Sequence, residues 1–251
     1  MDWLPALVVG FALAGGLWSL DGPISDRARA VALAGDLRRE LEALAQYGQG
    51  AWIALVALAV WLLDPNRRRR LIDVAAALAL VGVVCVATKV LLGRPRPLLA
   101  DPGVLLGPWG MYPVPSGEAG SGTISLAHAW EMNSRVQYLL GSMPSRHTAF
   151  AAAMSAWLWT MYPVLRVPAI VLMTLVGTMR VLVGAHYPSD VFVGGTIGLT
   201  ITTLAMRRFW GTRALDWFWK RFVNTNAEAA LPRVLAAELA ATSASRPTRA
   251  A

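Results

Sequence analysis

Charge is scarce in this chain: Asp, Glu, Lys and Arg make up only 15% of its 251 residues, against about 25% in soluble domains. With 56% of residues hydrophobic and a mean hydropathy of +0.49, the composition argues against an aqueous globular domain and excludes disordered and fibrous classes. Cysteine is nearly absent. The single one, Cys85, lies in an apolar run, so neither an intrachain disulfide nor a cysteine-based metal site can form, and it reads as a small buried hydrophobe. Acidic residues are outnumbered by basic ones, 15 to 23, for a formal charge of +8. In a soluble protein that excess would suggest nucleic acid; here the placement of the arginines decides otherwise.

The apolar residues fall in six blocks, roughly 3–20, 45–63, 71–92, 147–165, 168–187 and 190–206, each near the length that crosses hydrocarbon as a helix. The first block has Asp2 in place of a basic leader region and no small-residue cleavage site before Asp21, so it is expected to stay as a span. Arg67 to Arg70, Arg166, and Arg207 with Arg208 sit in three connections that six spans would place on one side together with both termini. The positive-inside rule makes that side cytoplasmic. The other side receives 21–44, which mixes charge with Ala and Leu as an amphipathic surface helix would, and the long segment 93–146. Residues 98–143 are rich in Gly and Pro and carry Trp109, Tyr112, Trp130 and Tyr138; such length suits a lid or binding loop, and its aromatics an interfacial belt. The expected architecture is all-α: a polytopic membrane domain of six transmembrane helices over 1–206, with an interfacial helix and a long outer loop. A cytoplasmic tail over 207–251 begins with the interfacial anchor RRFWGTRALDWFWKRF and is disordered from Thr242.

Ionisable groups at membrane helix ends are costly and need a reason. Lys89 lies 19 residues beyond Arg70, about 28 Å along a helix, at the outer end of the third span. The same arithmetic puts His147 about 28 Å and His186 about 30 Å from Arg166, and Asp190 about 25 Å from Arg207. Arg180 falls roughly two turns before His186. Two of only three histidines therefore share one depth with Lys89, Arg94, Arg96, Arg146 and Arg180, and only Asp190 offers nearby compensation. Such an excess of cations wants an anion. The turn GSMPSRHTAF opens a helix whose free N–H groups favour phosphate. Two histidines can divide attack on phosphorus from protonation of the leaving oxygen, and Asp190 is placed to hold Nδ1–H of His186, leaving Nε2 as nucleophile. The chemistry is phosphoryl transfer at the outer leaflet.

Here three motifs become specific. KVLLGRPRP at 89–97 contains K-x6-R-P through Lys89, Arg96 and Pro97; PSRH at 144–147 is similar to P-S-G-H; and MRVLVGAHYPSD at 179–190 matches most of S-R-x5-H-x3-D through Arg180, His186 and Asp190. In this order the chain resembles the type 2 phosphatidate phosphatase superfamily over roughly 71–206. The resemblance implies a membrane lipid phosphatase that needs no metal or other cofactor. It implies His186 as the nucleophile that forms a phosphohistidine, His147 as general acid, Asp190 as orienter, and Lys89, Arg96, Arg180 and Ser145 as phosphate contacts. Two positions depart from the pattern. Arg146 replaces Gly, either as a further phosphate cation or as a headgroup contact, and Met179 replaces Ser.

Elsewhere, Arg94 is either a phosphate cation or a headgroup contact, His128 a surface histidine and Asp73 an ion-pair or headgroup partner; Glu118 and Glu131 are not singled out by spacing. The expected protein hydrolyses a lipid phosphate or diphosphate (undecaprenyl diphosphate, phosphatidylglycerol phosphate, phosphatidate and lipid A phosphates lie in the family's range) at the periplasmic face of a bacterial inner membrane. Its partners are the lipid substrate and the bilayer, not nucleic acid, and the sequence does not speak to oligomeric state. The rival readings are a lipid phosphotransferase with an alcohol acceptor, a vanadate-dependent haloperoxidase and an anion transporter.

Overall fold

A computed structural model describes residues 3–31, 34–115, 123–131 and 133–236; Glu118 and the tail from Thr242 lie outside them. α1 (Trp3–Leu17) runs through a 3-10 turn into α2 (Asp21–Ala30), followed by α3 (Gly35–Leu44), α4 (Gly50–Leu63) and α5 (Arg70–Leu92). β1 (Met111–Pro115), β2 (Ile124–His128) and α6 (Ser134–Leu140) precede α7 (Arg146–Met161), α8 (Arg166–Leu182), α9 (Pro188–Arg208) and α10 (Trp210–Phe222).

Helices stand in all six apolar blocks. Among the described residues four stretches are long and apolar enough to cross a membrane: Leu7–Ala30, Arg70–Leu99, Pro163–Leu182 and Pro188–Arg208. α4 has 14 residues and α7 has 16, which reach about 21 and 24 Å, short of the roughly 30 Å hydrocarbon layer. Along α7, Thr148, Ala149, Ala151, Ala152, Ala153, Ser155 and Ala156 are buried, so much of this helix packs against protein.

Small residues let α9 approach α7 backbone to backbone. Gly194 and Gly198, one turn apart, face α7 so closely that an added Cβ would lie 2.4 Å from the Ser145 carbonyl oxygen and 2.0 Å from that of Ala149. This is the packing that G-x-x-x-G spacing permits between membrane helices. Around it, Val81, Cys85, Ala149, Ala153, Val193 and Ile197 form one apolar cluster, and Val74, Met154, Trp157, Val176 and Met206 form another. Cys85 is buried, as its surroundings in the sequence suggest.

At the arginine-bearing end, Asp73 is buried in an ion pair with Arg70. It accepts the Thr212 N–H at 2.8 Å, and Arg70 stacks 4.0 Å over Phe209 and donates to the Met206 carbonyl. That network docks α10, which leaves Trp217, Phe218, Trp219 and Phe222 exposed, in keeping with an interfacial anchor.

The segments expected on the outer side depart twice from expectation. A two-stranded antiparallel sheet pairs Met111 with His128 and Pro115 with Ile124, so the fold is mostly rather than wholly helical. Val114 and Ala127 are its buried residues, and the prolines at 113 and 115 suit a two-stranded ribbon, where each strand is an edge. Residues 21–44 also do not form one surface helix. α3 keeps every side chain at least partly exposed, whereas α2 buries Asp21, Ser25 and Ala28 against the protein.

Gly198→Ala forces α9 off the Ala149 carbonyl and should cost about 1–3 kcal/mol, as overpacking does, lowering the thermal unfolding midpoint in detergent. Gly195→Ala, whose Cβ would meet only the Thr148 methyl at 3.8 Å, should leave the midpoint unchanged. Equal midpoints for the two variants would contradict the close-packing account.

Candidate active site

Three chain reversals deliver the motif residues to one end of the bundle. The first ends α5 at Gly93, whose φ of +57° lies in the left-handed region and whose N–H bonds the Lys89 carbonyl at 2.9 Å. Glycine is the residue for that cap, and the prolines that follow keep the chain from resuming a helix. Lys89 donates to the Gly141 carbonyl. Arg96 donates from Nη1 to the Ala185 carbonyl at 3.1 Å and lies 4.0 Å over the Tyr138 ring.

The second reversal leads into α7. Ser145 is its N-cap: the hydroxyl accepts from the Thr148 N–H at 3.4 Å and lies 2.9 Å from the Thr148 hydroxyl. The phosphate contact expected of Ser145 is thus a hydroxyl buried in the cap. Arg146, next in line, is exposed, and His147 is half-buried.

The third joins α8 to α9. Gly184, at φ +66°, lets the N–H groups of Ala185 and His186 both return to the Arg180 carbonyl, at 3.0 and 3.1 Å. His186 is 2% exposed, and its Nδ1 lies 2.7 Å from the Ser142 carbonyl oxygen. A carbonyl only accepts, so Nδ1 carries the proton and Nε2 keeps its lone pair. The expected direct bond from Asp190 is corrected here, because its carboxylate stands 3.8 Å from Nδ1, beyond hydrogen-bond range. Asp190 instead accepts from the Ser142 hydroxyl at 2.5 Å, the Tyr187 N–H at 2.9 Å and Arg94 at 2.7 Å. It reaches the imidazole at second hand, through the residue whose carbonyl holds it.

Lys89, Arg96, Arg146, His147 and His186 line one cavity of about 300 Å³, walled on its other side by Ser134, Gln137, Tyr138 and Gly141 from the segment before α7. Among the described residues no carboxylate lines it. The Nε atoms of Arg96 and Arg180 are buried without a hydrogen-bond partner. Unspent donors and uncompensated cations around a cavity favour an anion. Asp190 lies behind this surface rather than in it, and Arg180 supplies the carbonyl that shapes the His186 turn. Among the described residues no group of three or more His, Cys, Asp or Glu is placed to hold a metal ion. His128 stands apart, its Nδ1 3.0 Å from the Gly110 carbonyl and its ring stacked on Trp130.

Arg94 takes neither of its expected places. It is wholly buried, donating to Asp190, to Ser189 at 2.7 Å, to the Pro102 carbonyl and to Asp21 at 2.7 Å. Asp21 and Ser142 were not identified by sequence reasoning. A lone carboxylate ending an apolar block was the available signal for Asp21; a backbone carbonyl such as that of Ser142 leaves none.

Burial drives the pKa of His186 down to about 3, opposed by Asp190 and assisted by the charges of Arg96 and Lys89. The unfolded imidazole keeps its ordinary value near 6.5, so between that pH and about 3 the unfolded chain binds the extra proton. Stability therefore falls as pH falls through this window. Thermal unfolding in one detergent should show the wild type losing stability on acidification more steeply than His186→Gln; parallel curves would refute the assignment.

Comparison with known proteins agrees with this geometry. The description "PAP2 superfamily" belongs to a family whose sequence profile matches residues 70–214. No curated protein is a significant match. Among solved structures, the chain is similar to Aquifex aeolicus LpxE, at 19% identity and a TM-score of 0.53 over 75% of this chain and 95% of that one. It is also similar to a PAP2-type phosphatidylglycerolphosphate phosphatase from Bacillus subtilis, at 19% identity and a TM-score of 0.55 over 88% and 98% of the two chains. These likenesses concern the fold. Taken with the profile match across more than half of its length, they leave one assignment: this chain belongs to the PAP2 superfamily.

Proposed function

We propose that this protein is an integral-membrane phosphatase hydrolysing a lipid phosphate or diphosphate. The observation that carries the reading is the cavity itself: two histidines and three cations around one space, with no carboxylate among its described lining residues. The fold it shares with a phosphatidylglycerolphosphate phosphatase supports a lipid rather than a soluble phosphate ester. The reaction begins when Nε2 of His186 attacks phosphorus. The bond from phosphorus to the leaving oxygen breaks as that oxygen takes a proton from His147, and a phosphohistidine forms. A water then attacks phosphorus while His147 takes its proton; the N–P bond breaks and phosphate leaves. Lys89, Arg96, Arg146 and Arg180 offset the charge on the non-bridging oxygens. No step calls on a metal.

The six-span arrangement, with both termini cytoplasmic and the cavity at the periplasmic face of a bacterial inner membrane, belongs to the same reading. α5 begins at Arg70 and α9 ends at Arg208, so the arginine-rich ends lie a full helix length from Lys89 and Asp190. The positive-inside rule assigns those ends to the cytoplasm.

Purified protein given a panel of lipid phosphates and diphosphates without added alcohol should release free phosphate. Vanadate should inhibit and EDTA should not. His186→Ala should lower turnover by at least about 10⁴-fold, in line with loss of a catalytic nucleophile, while the protein stays folded. Phosphate released only when an alcohol acceptor is added would make the protein a phosphotransferase. Activity retained in pure His186→Ala protein would end the proposed mechanism.

A further inference from the structure

Asp21 and Arg94 are both fully buried, and neither lines the cavity. One guanidinium joins two carboxylates distant in sequence: Nη1 donates to Asp190 and Ser189, and Nη2 to Asp21. Two rings lie against the same group, Trp18 at 4.0 Å and Tyr187 at 4.4 Å. Asp21 in turn accepts the Ser189 N–H at 3.0 Å, tying α2 to the first turn of α9. A buried ion pair is poor evidence of added stability, since its desolvation offsets much of its attraction. What this one does fix is direction: a planar fork bonded to Asp190 at one end and to Asp21 at the other, with rings packed against it, presents its donors to Asp190 in a defined orientation.

We propose that Arg94 and Asp21 are positioning residues for the reaction, a buried Asp21–Arg94–Asp190 bridge that sets the tautomer of His186. The inference rests on His186 being the nucleophile. The path is continuous. Arg94 holds one Asp190 oxygen, the other oxygen receives the Ser142 hydroxyl, and the Ser142 carbonyl takes the Nδ1 proton of His186. Ser142 is itself anchored by the same stretch of chain, its N–H donating to the Arg94 carbonyl at 2.9 Å. Without the guanidinium, Asp190 is left a buried charge with neutral donors alone. The Ser142 hydroxyl then loses its fixed acceptor, and the imidazole is free to move its proton to Nε2, where attack is impossible.

Two measurements test the bridge. In nitrogen-15 histidine NMR of the full-length protein, wild type should show His186 as the Nδ1–H tautomer, and Arg94→Gln and Asp21→Asn should each shift it toward a mixture. In turnover of a lipid phosphate, Arg94→Gln should lower kcat by about 10- to 100-fold, the usual loss for a residue supporting a catalytic group. KM should be nearly unchanged and Arg94→Lys should restore part of the rate. Arg94→Gln combined with Asp190→Asn should be no slower than the slower single variant, since both act through one path. A folded Arg94→Gln protein with the wild-type tautomer, or losses that multiply in the double variant, would overturn the proposal. If Arg94→Gln does not fold, the same cycle between Asp21→Asn and Asp190→Asn decides. Because the NMR readout needs no substrate, failure of the bridge is distinguishable from failure of the phosphatase reading, which His186→Ala tests alone.

Discussion

The backbone contact between α7 and α9 is the constraint on which the rest of this protein depends. Gly194 and Gly198 present no side chain, so α9 lies against the carbonyls of Ser145 and Ala149. At that separation the Ser145 N–H reaches the Asp190 carbonyl at 3.0 Å. The turn that carries His147 and the turn that carries His186 are thereby fixed to each other before any side chain of the site makes a contact. A wider crossing would leave the same residues at the same membrane depth with no common centre. Close packing is what turns a shared depth into a shared cavity.

That geometry forces an electrostatic cost, and the fold divides it. Toward the cavity the cations of Lys89, Arg96 and Arg146 have no lining carboxylate among the described residues, an arrangement suited to an incoming anion. Behind the cavity the balance is reversed: Asp21 and Asp190 share the single guanidinium of Arg94. His186 sits on the border of the two regions. It is buried enough to disfavour its charged form and is held by a neutral carbonyl rather than directly by a carboxylate. A direct bond to Asp190 would stabilise the imidazolium and raise its pKa. The Ser142 carbonyl supplies orientation without a charge of its own, and burial disfavours the charged ring.

The sequence was informative where spacing alone determines place. Lys89, His147, His186 and Asp190 could be brought to one depth by counting residues from the arginines, because the rise of a helix is constant. Arg94 and Asp21 could not be paired this way. Depth gives no azimuth, and the pair forms only because α2 continues α1 back onto the turn before α9. The burial of α7 was not legible for a related reason: hydropathy is read against lipid, and a helix enclosed by protein need not meet that standard. The hairpin of β1 and β2 was hidden by its own composition, since prolines at 113 and 115 speak against a strand unless both strands are edges. The role of Ser142 had no sequence signal, because what holds His186 is its main chain.

The boundaries of the family match carry a consequence for how this site is built. The matched region begins at residue 70, so the motifs, the cavity lining and the α7–α9 contact all lie within it, while Asp21 lies outside. Yet Asp21 is buried as deeply as Asp190 and shares its arginine. A guanidinium facing one carboxylate alone would leave Nη2 with only the Pro102 carbonyl. With Asp21 in place, both ends of the fork are filled, and the charge near Asp190 is set in part by a segment carrying no motif. The segment before residue 70 therefore contributes to the structure behind the cavity: through Asp21, α2 completes the buried charge balance around Arg94.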